Sequence, residues 1–496
     1  MTPIFPCPPE PPTKYLDHWI PLTSLEQMEQ TDYDVLIVGS GAGGGAVLWR
    51  LCERWGRNGR RIGMVEAGDL LLPTHAHNIP TMNGRRFLRY FQNPKISKPI
   101  GRILPQFSGA KQVFALGGRT LFWTAVSPRM PVSETGKWPV TGKEMKLYYS
   151  IAEQIMNVTS AYTKGSSITQ LLLQRLRENG FPEADDYPVA VDLQTTKYGE
   201  IHSNVFFSSI NFLAAALNRR PFDLAVMARA VRVHTERGKV TGLQVMSPEK
   251  KSYFLKTRRV ILSGSTFETP RLLLHSGIQG RSVGHYLANH SFIIATGQIS
   301  RRELPEVLGT LGILIPQTEV RPYQFQIYGP GTYLWYQPYE EKPLQDVWQI
   351  FFQGFGKVES RFENQVFLDP RRQDEYGVPE IQVNFSYSEK DQAVIRQMTK
   401  DMQRVASAIG ARLISKEGQP PICLNPPGLD FHESGTCRMG DDGSNAAVNR
   451  YGEIFGVSGL YVADNSVLPS TGAANPTLTT IALAIRTADY VIRQLK

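Results

Sequence analysis

One stretch limits the folds open to this chain more than any other. In "YDVLIVGSGAGGG", Tyr33 to Gly45, an apolar strand over Val35 to Val38 runs straight into Gly39, Gly41 and Gly44, the spacing GxGxxG. Leu48, Leu51, Cys52 and Trp55 follow at i, i+3, i+4 and i+7, one face of a helix. A second strand, "RIGMVEAG", ends in Glu66, 22 residues beyond Gly44. Each part has a physical task. The glycines permit a tight turn and close approach of backbone to a pyrophosphate, the helix N-terminus favours its charge, and an acid at the strand end accepts from ribose hydroxyls. A lone GxGxxG often marks only a turn, but strand, helix face and spaced acid together predict a dinucleotide site in a doubly wound α/β domain. A glutamate there suits a 2′-hydroxyl better than a 2′-phosphate. It leaves NAD and FAD both open.

With 496 residues, 41% of them hydrophobic, there is material for two domains and a substantial core. The formal charge of +9 is spread among interspersed acids, without the Lys/Arg block of a nucleic-acid arm, so no nucleic-acid partner is expected. The Pro-rich start, "MTPIFPCPPEPPTKYLDHWIPL", has neither a basic leader nor a continuous apolar core, and no run reaches about 20 apolar residues. The expectation is a cytoplasmic protein with no membrane partner. Cys7, Cys52, Cys423 and Cys437 lack CxxC spacing, which argues against a disulfide framework or structural zinc.

The C-terminus adds a second cluster. "GLYVAD" reads as a short buried strand ending at Asp464, placed to meet a cofactor hydroxyl or a phosphate-bound water. After "STGAA" come Asn475 and Pro476, read as an N-cap and first helical residue, followed by an apolar stripe of Leu478, Ile481, Ile485, Ile492 and Leu495. Asn475 is then a plain cap, or it sits where a helix dipole faces an anion such as a reduced flavin.

Six ordered blocks make the chain resemble the glucose-methanol-choline (GMC) oxidoreductases, and most closely their pyranose-oxidase-like branch. They are "VGSGAGGGAVLWRL" with "VEAG", "ALGGRTLFWTAVSPRM", "GSTFETPRLLLHSGI", "VGHYLANH", "HESGTCRMG" and "GLYVADNSVLPSTGAANPTLTTIALAI". The resemblance implies FAD bound in a glutathione-reductase-like, Rossmann-type domain, beside an α+β substrate domain built on a largely antiparallel sheet. Residues 1–31 are then an N-terminal extension, 32–135, 205–300 and 432–496 the FAD-binding part, and 136–204 and 301–431 the substrate part. Besides Gly39, Gly41, Gly44 and Glu66, the resemblance assigns Gly117, Gly118, Thr120, Phe122, Trp123, Val231, Asp464, Asn475 and Pro476 to the cofactor. Several relatives carry, in the block after the paired glycines, a His bonded covalently to flavin. Phe122 stands there, so non-covalent FAD is expected.

"FHESGTCRMG" concentrates a His, Glu, Ser, Cys and Arg within ten residues. Ser434 lacks a GxSxG elbow, and His432 with Cys437 has no completing pair nearby, so neither a serine nucleophile nor a metal is assigned. By itself His432 reads as a loop histidine. In the family, the His opening this stretch faces the flavin beside a His or Asn before the last helix, which map to His432 and Asn475. Alcohol oxidation needs a base for the hydroxyl proton, and a neutral imidazole with an ordinary pKa near 6.5 supplies one. Asn475 would hold the alcohol oxygen. Arg438 is read as pairing with an acid or approaching the cofactor, and His75 and His77 as loop residues.

Between 300 and 431, "YQFQIYG", "TYLWYQPY" and "WQIFFQGF" alternate aromatics with Gln, the pattern of an antiparallel sheet with one packed face and also of a surface that binds a hydroxylated ring. "FSYSEKDQAVIRQMTKDMQRVASAIGA" reads as a helix on its outer side. The expected function is FAD-dependent oxidation of an alcohol on a sugar, polyol or glycoside, amino sugars of antibiotics included. A choline-like or aliphatic alcohol, a redox-silent flavin lyase and a non-catalytic flavin protein are the alternatives; the C-terminal blocks disfavour an NAD dehydrogenase. Oxygen, a quinone or a protein remain open as electron acceptor.

Overall fold

The computed structural model describes residues 16–100, 106–193, 206–304, 309–331, 345–415 and 418–495. A five-stranded parallel sheet stands at its centre, in the spatial order Leu460–Val462, Val260–Leu262, Val35–Val38, Ile62–Val65, Asp223–Ala225. Its strands are continuous apolar runs, as burial on both faces demands. The helix Ala42–Trp55 leaves the glycine turn with Leu48, Leu51, Cys52 and Trp55 buried, as the periodicity predicts. On it packs the C-terminal helix Thr477–Gln494, tied by a bidentate Arg50–Asp489 pair at 2.8 and 3.0 Å.

These contacts are close enough to dictate small residues. A Cβ on Gly43 would stand 1.7 Å from the Ala463 carbonyl oxygen, and one on Gly44 1.9 Å from that of Gly39. Gly39 itself adopts φ +92°, a conformation that side chains resist.

The second sheet is antiparallel and seven-stranded, ordered Arg412–Ile414, Ser291–Ser300, Val347–Gly356, Tyr323–Gly329, Leu311–Ile315, Asp185–Asp186, with Ile422–Leu424 also pairing Ser291–Ser300. Ser291 lies opposite Gly356, and so does Tyr323. Residues 291–300, grouped with the FAD-binding part in the sequence reading, therefore lie inside this sheet. The helix Glu389–Ala408, opened by a capping box at Ser388, covers its outer face through Met398, Met402 and Val405. "TYLWYQPY" lies outside the described residues. The later half of the N-terminal extension is folded onto the body, with Ile20, Leu25 and Met28 buried. No helix among the described residues is long and apolar enough to cross a membrane.

Candidate active site

Four parallel strands end at one cavity of about 460 Å³. Gly39–Gly41 follow the first, Glu66 the second, Ser263–Ser265 the third and Asp464 the fourth, the placement expected of a ligand at the carboxyl edge of such a sheet. Gly41 begins the helix without a side-chain cap, and a Cβ there would meet nothing within 4 Å. Bare first-turn N–H groups thus face open space, which fits a pyrophosphate.

Glu66 is buried. One carboxylate oxygen accepts from the backbone N and hydroxyl of Ser40 at 3.0 and 2.6 Å, the other from Gly68 N at 2.8 Å. Burial raises its pKa, against these hydrogen bonds. Asp464 is likewise a structural tie, accepting from Ser265 N and Thr269 Oγ1 on one oxygen and from Ser466 on the other. Both line the cavity; Glu66 keeps one acceptor site free, whereas all four of Asp464 are taken.

Gly118, Thr120, Phe122 and Trp123 line the far half, where Phe122 meets the ring edges of Phe87 and Phe91. Four expected cofactor residues do not line it. Gly44 packs helix against strand, and Gly117, at φ +94°, donates its N–H to Ser40 Oγ. Val231 is buried away from the cavity, which Ala228, Arg229 and Ala230 line instead. Pro476 also stays off it and, with the helix beginning at Thr477, holds the N-cap position. Asn475 is therefore not the cap.

The structure gives Asn475 another task. Its Oδ1 accepts from Gln324 Nε2 at 2.9 Å and Gln326 Nε2 at 2.5 Å, both on the antiparallel strand Tyr323–Gly329. That leaves Nδ2 toward His432 Nε2, at 3.4 Å. His432 and Asn475 line the cavity where it reaches Gln353 and Phe355 of the second sheet.

Behind His432 stand groups that the sequence reading missed. His290 Nδ1 is 3.0 Å from His432 Nδ1, and Asp430 Oδ2 is 3.4 Å from the same atom. Backbone pairing of Ala288 with Ser434, at 2.9 and 3.0 Å, pins the two segments together. His290, Asp430 and His432 form a cluster whose ligand atoms all fall within 4.8 Å, so the companions of His432 come from residues 290 and 430 and not from Cys437. Phe431 takes φ +59°, an uncommon conformation for an aromatic. Its carbonyl accepts from Arg119, which also pairs with buried Glu433 at 2.8 Å. Arg438 stacks on Tyr286, 4.2 Å from the ring centroid. His75, read from the sequence as a loop residue, caps the short helix Ala76–Asn78; it is buried, and its Nε2 lies 2.9 Å from the Trp123 carbonyl.

The GMC oxidoreductase family matches residues 102–292 and 360–484, well over half of the chain. The chain belongs to that family. Membership brings FAD as cofactor, consistent with the bare glycine loop and the aromatic far half of the cavity. This GMC oxidoreductase is 26% identical over 401 residues to a C-glycoside 3-oxidase of Arthrobacter globiformis, covering 77% of this chain and 74% of the relative. To a 2-methyl-1,2-propanediol dehydrogenase of Mycolicibacterium austroafricanum it is 24% identical, covering 93% and 95%. Its fold is shared with the crystal structure of pyridoxine 4-oxidase from Mesorbium loti, at a TM-score of 0.67 and 15% identity over 92% of this chain and 99% of that one.

Proposed function

We propose that this enzyme oxidises a secondary or primary alcohol on a sugar or glycoside to a carbonyl, with non-covalent FAD. The observation that carries the reading is the facing pair, His432 Nε2 and Asn475 Nδ2, set where the dinucleotide cavity opens onto a Gln- and aromatic-bearing sheet. FAD, when bound, supplies the acceptor for the hydride. His432 Nε2 takes the hydroxyl proton. Asn475 Nδ2 donates to the alcohol oxygen and cannot turn its oxygen there without losing both glutamine donors. Gln353 offers hydrogen bonds to ring hydroxyls, while Phe355 and Phe431 supply apolar walls.

On this reading the FAD-binding part comprises 32–135, 205–290 and 432–496, and the substrate part 136–204 and 291–431. The C-glycoside 3-oxidase relative supports a glycoside; the propanediol dehydrogenase relative favours, as a second reading, a small diol. Anaerobic mixing with a panel of sugars, glycosides and aliphatic alcohols separates them through the rate of flavin bleaching. Faster bleaching by diols than by every sugar and glycoside would sink the first reading.

A further inference from the structure

The hydrogen bonds behind His432 form a chain in which each member's proton fixes the next. His290 Nε2 points at the carbonyl of Thr471, at 3.4 Å. A carbonyl only accepts, so this nitrogen carries hydrogen. His290 is fully buried, and burial first, then the neighbouring His432, hold its pKa down at about 4, so near neutrality it is uncharged and has one N–H. With that hydrogen on Nε2, His290 Nδ1 is a bare acceptor. It lies 3.0 Å from His432 Nδ1, and two bare nitrogens do not approach so closely. The hydrogen between them belongs to His432.

We propose that His290 and Asp430 are positioning residues that hold neutral His432 with its hydrogen on Nδ1, leaving the Nε2 lone pair in the cavity as base. This rests on the reading of His432 as the proton acceptor. Asp430 adds charge. Its Oδ2 lies 3.4 Å from His432 Nδ1 and 3.6 Å from His290 Nδ1, inside a side chain with no exposure. Burial pushes the Asp430 carboxyl up, but the hydrogen bond and charge of His432, with His290 and Asn289, hold it below its ordinary value. When Nε2 takes a proton, the imidazolium that results faces an anion already in place and needs no solvent to reorganise. The other ionisable groups about the cluster are Tyr387, near Asp430, whose hydroxyl burial keeps protonated, and Glu433, which Arg119 pairs from the far side.

The test has one arm that needs no substrate. In FAD-loaded protein labelled with ¹⁵N-histidine, with assignments from His432→Gln and His290→Gln, long-range ¹H–¹⁵N correlations at about pH 8 report each tautomer. His432 is expected as Nδ1–H and His290 as Nε2–H. His432 found as Nε2–H overturns the proposal. The second arm is the anaerobic rate of flavin bleaching against pH. In Asp430→Asn the acidic limb is expected to move down by about 1 to 3 pH units, the effect of removing an opposite charge at this distance, with partial return in Asp430→Glu. An unmoved limb in a folded, FAD-loaded Asp430→Asn removes Asp430 from the proposal's machinery and overturns its part. Elemental analysis closes the remaining route: a stoichiometric metal ion lost in His290→Gln would make these groups ligands and overturn the whole. If no alcohol bleaches the flavin while His432 still shows Nδ1–H, the functional reading fails and the tautomer assignment stands.

Discussion

At His432 proton chemistry falls on one nitrogen, Nε2, because Nδ1 is occupied from behind. Replacing His432 with Ala or Gln is expected to slow flavin bleaching by about 10² to 10⁴, the worth of a general base, while flavin content stays near that of the parent. Rates equal to the parent's in both variants would return this residue to a structural role. Asn475 separates differently. Asn475→Ala strands two buried glutamine donors, at a cost of about 1 to 3 kcal/mol in stability, whereas Asn475→Asp keeps their acceptor but sets a buried carboxylate oxygen where Nδ2 faced His432. Denaturation and bleaching measured on both variants should show each impaired in both, with stability in the Asp variant recovering as pH falls and its carboxylate protonates. At Phe122 no nucleophile is available for a flavin bond, so acid precipitation should release yellow FAD to the supernatant; flavin held in the pellet would contradict this. His432 and Asn475 were legible in the sequence because each lies in a family block, His432 opening one and Asn475 inside the last. Asp430 and His290 were not, since an acid two residues before a loop histidine has no spacing signature and residue 290 lies 142 positions away. The one available signal was the His closing "VGHYLANH", a block quoted for the resemblance without a role for that residue.

The glycine-turn element makes two neighbouring glycines do opposite things. Gly43→Ala drives a methyl into the Ala463 carbonyl, backbone against backbone, and is expected to cost about 1 to 3 kcal/mol or more even without FAD. Gly41→Ala projects into open space, so thermal stability of the flavin-free protein should hold while FAD affinity drops. A Gly41→Ala protein that binds FAD as the parent does would remove the pyrophosphate from this turn. Elements with strong periodicity were readable: the parallel strands, the helix after the turn, and the helix Glu389–Ala408. Where the sequence misled, a tertiary contact decided. Asn-Pro before an apolar stripe reads as cap and first turn, yet the amide is drawn into the glutamines of a strand some 150 residues earlier, and the helix opens one residue later. Val231 is buried off the cavity, which Ala228, Arg229 and Ala230 line instead, and nothing in the strand's sequence marks where that lining stops. Residues 291–300 carry no sign that they cross from one sheet's company to the other's.

For the molecule as a whole, two buried imidazoles, His75 and His290, and the half-buried His77 set the response to acid. Burial holds His75 at about 3 and His77 and His290 at about 4, well below 6.5. With folded pKa values depressed, the unfolded chain binds more protons below pH 6.5, so stability present above that pH is lost as pH falls from 6.5 toward 4. The loss approaches roughly 3 kcal/mol for each histidine at the lower end. Chemical denaturation at pH 7, 6 and 5 should show this decline, and His290→Gln, whatever it does to catalysis, should flatten it. Burial works the other way on Glu66 and Asp464, whose raised values make stability fall as pH rises above the ordinary carboxylate range, so the histidine effect is read from the difference between the parent and His290→Gln. The parallel sheet has a further consequence, in time. Its strand Val260–Leu262 receives its outer neighbour only from Leu460–Val462, 200 residues later. A ribosome adding about 5 to 20 residues per second leaves that edge unpaired for about 10 to 40 s, while most of the antiparallel sheet is being made and can fold. Through that interval the nascent chain has its glycine turn but neither Asp464 nor Asn475, and its open apolar edge is a target for chaperones or for aggregation. Capture of the flavin therefore has to wait until Leu460–Val462 and the residues that follow it have been made and have joined the sheet.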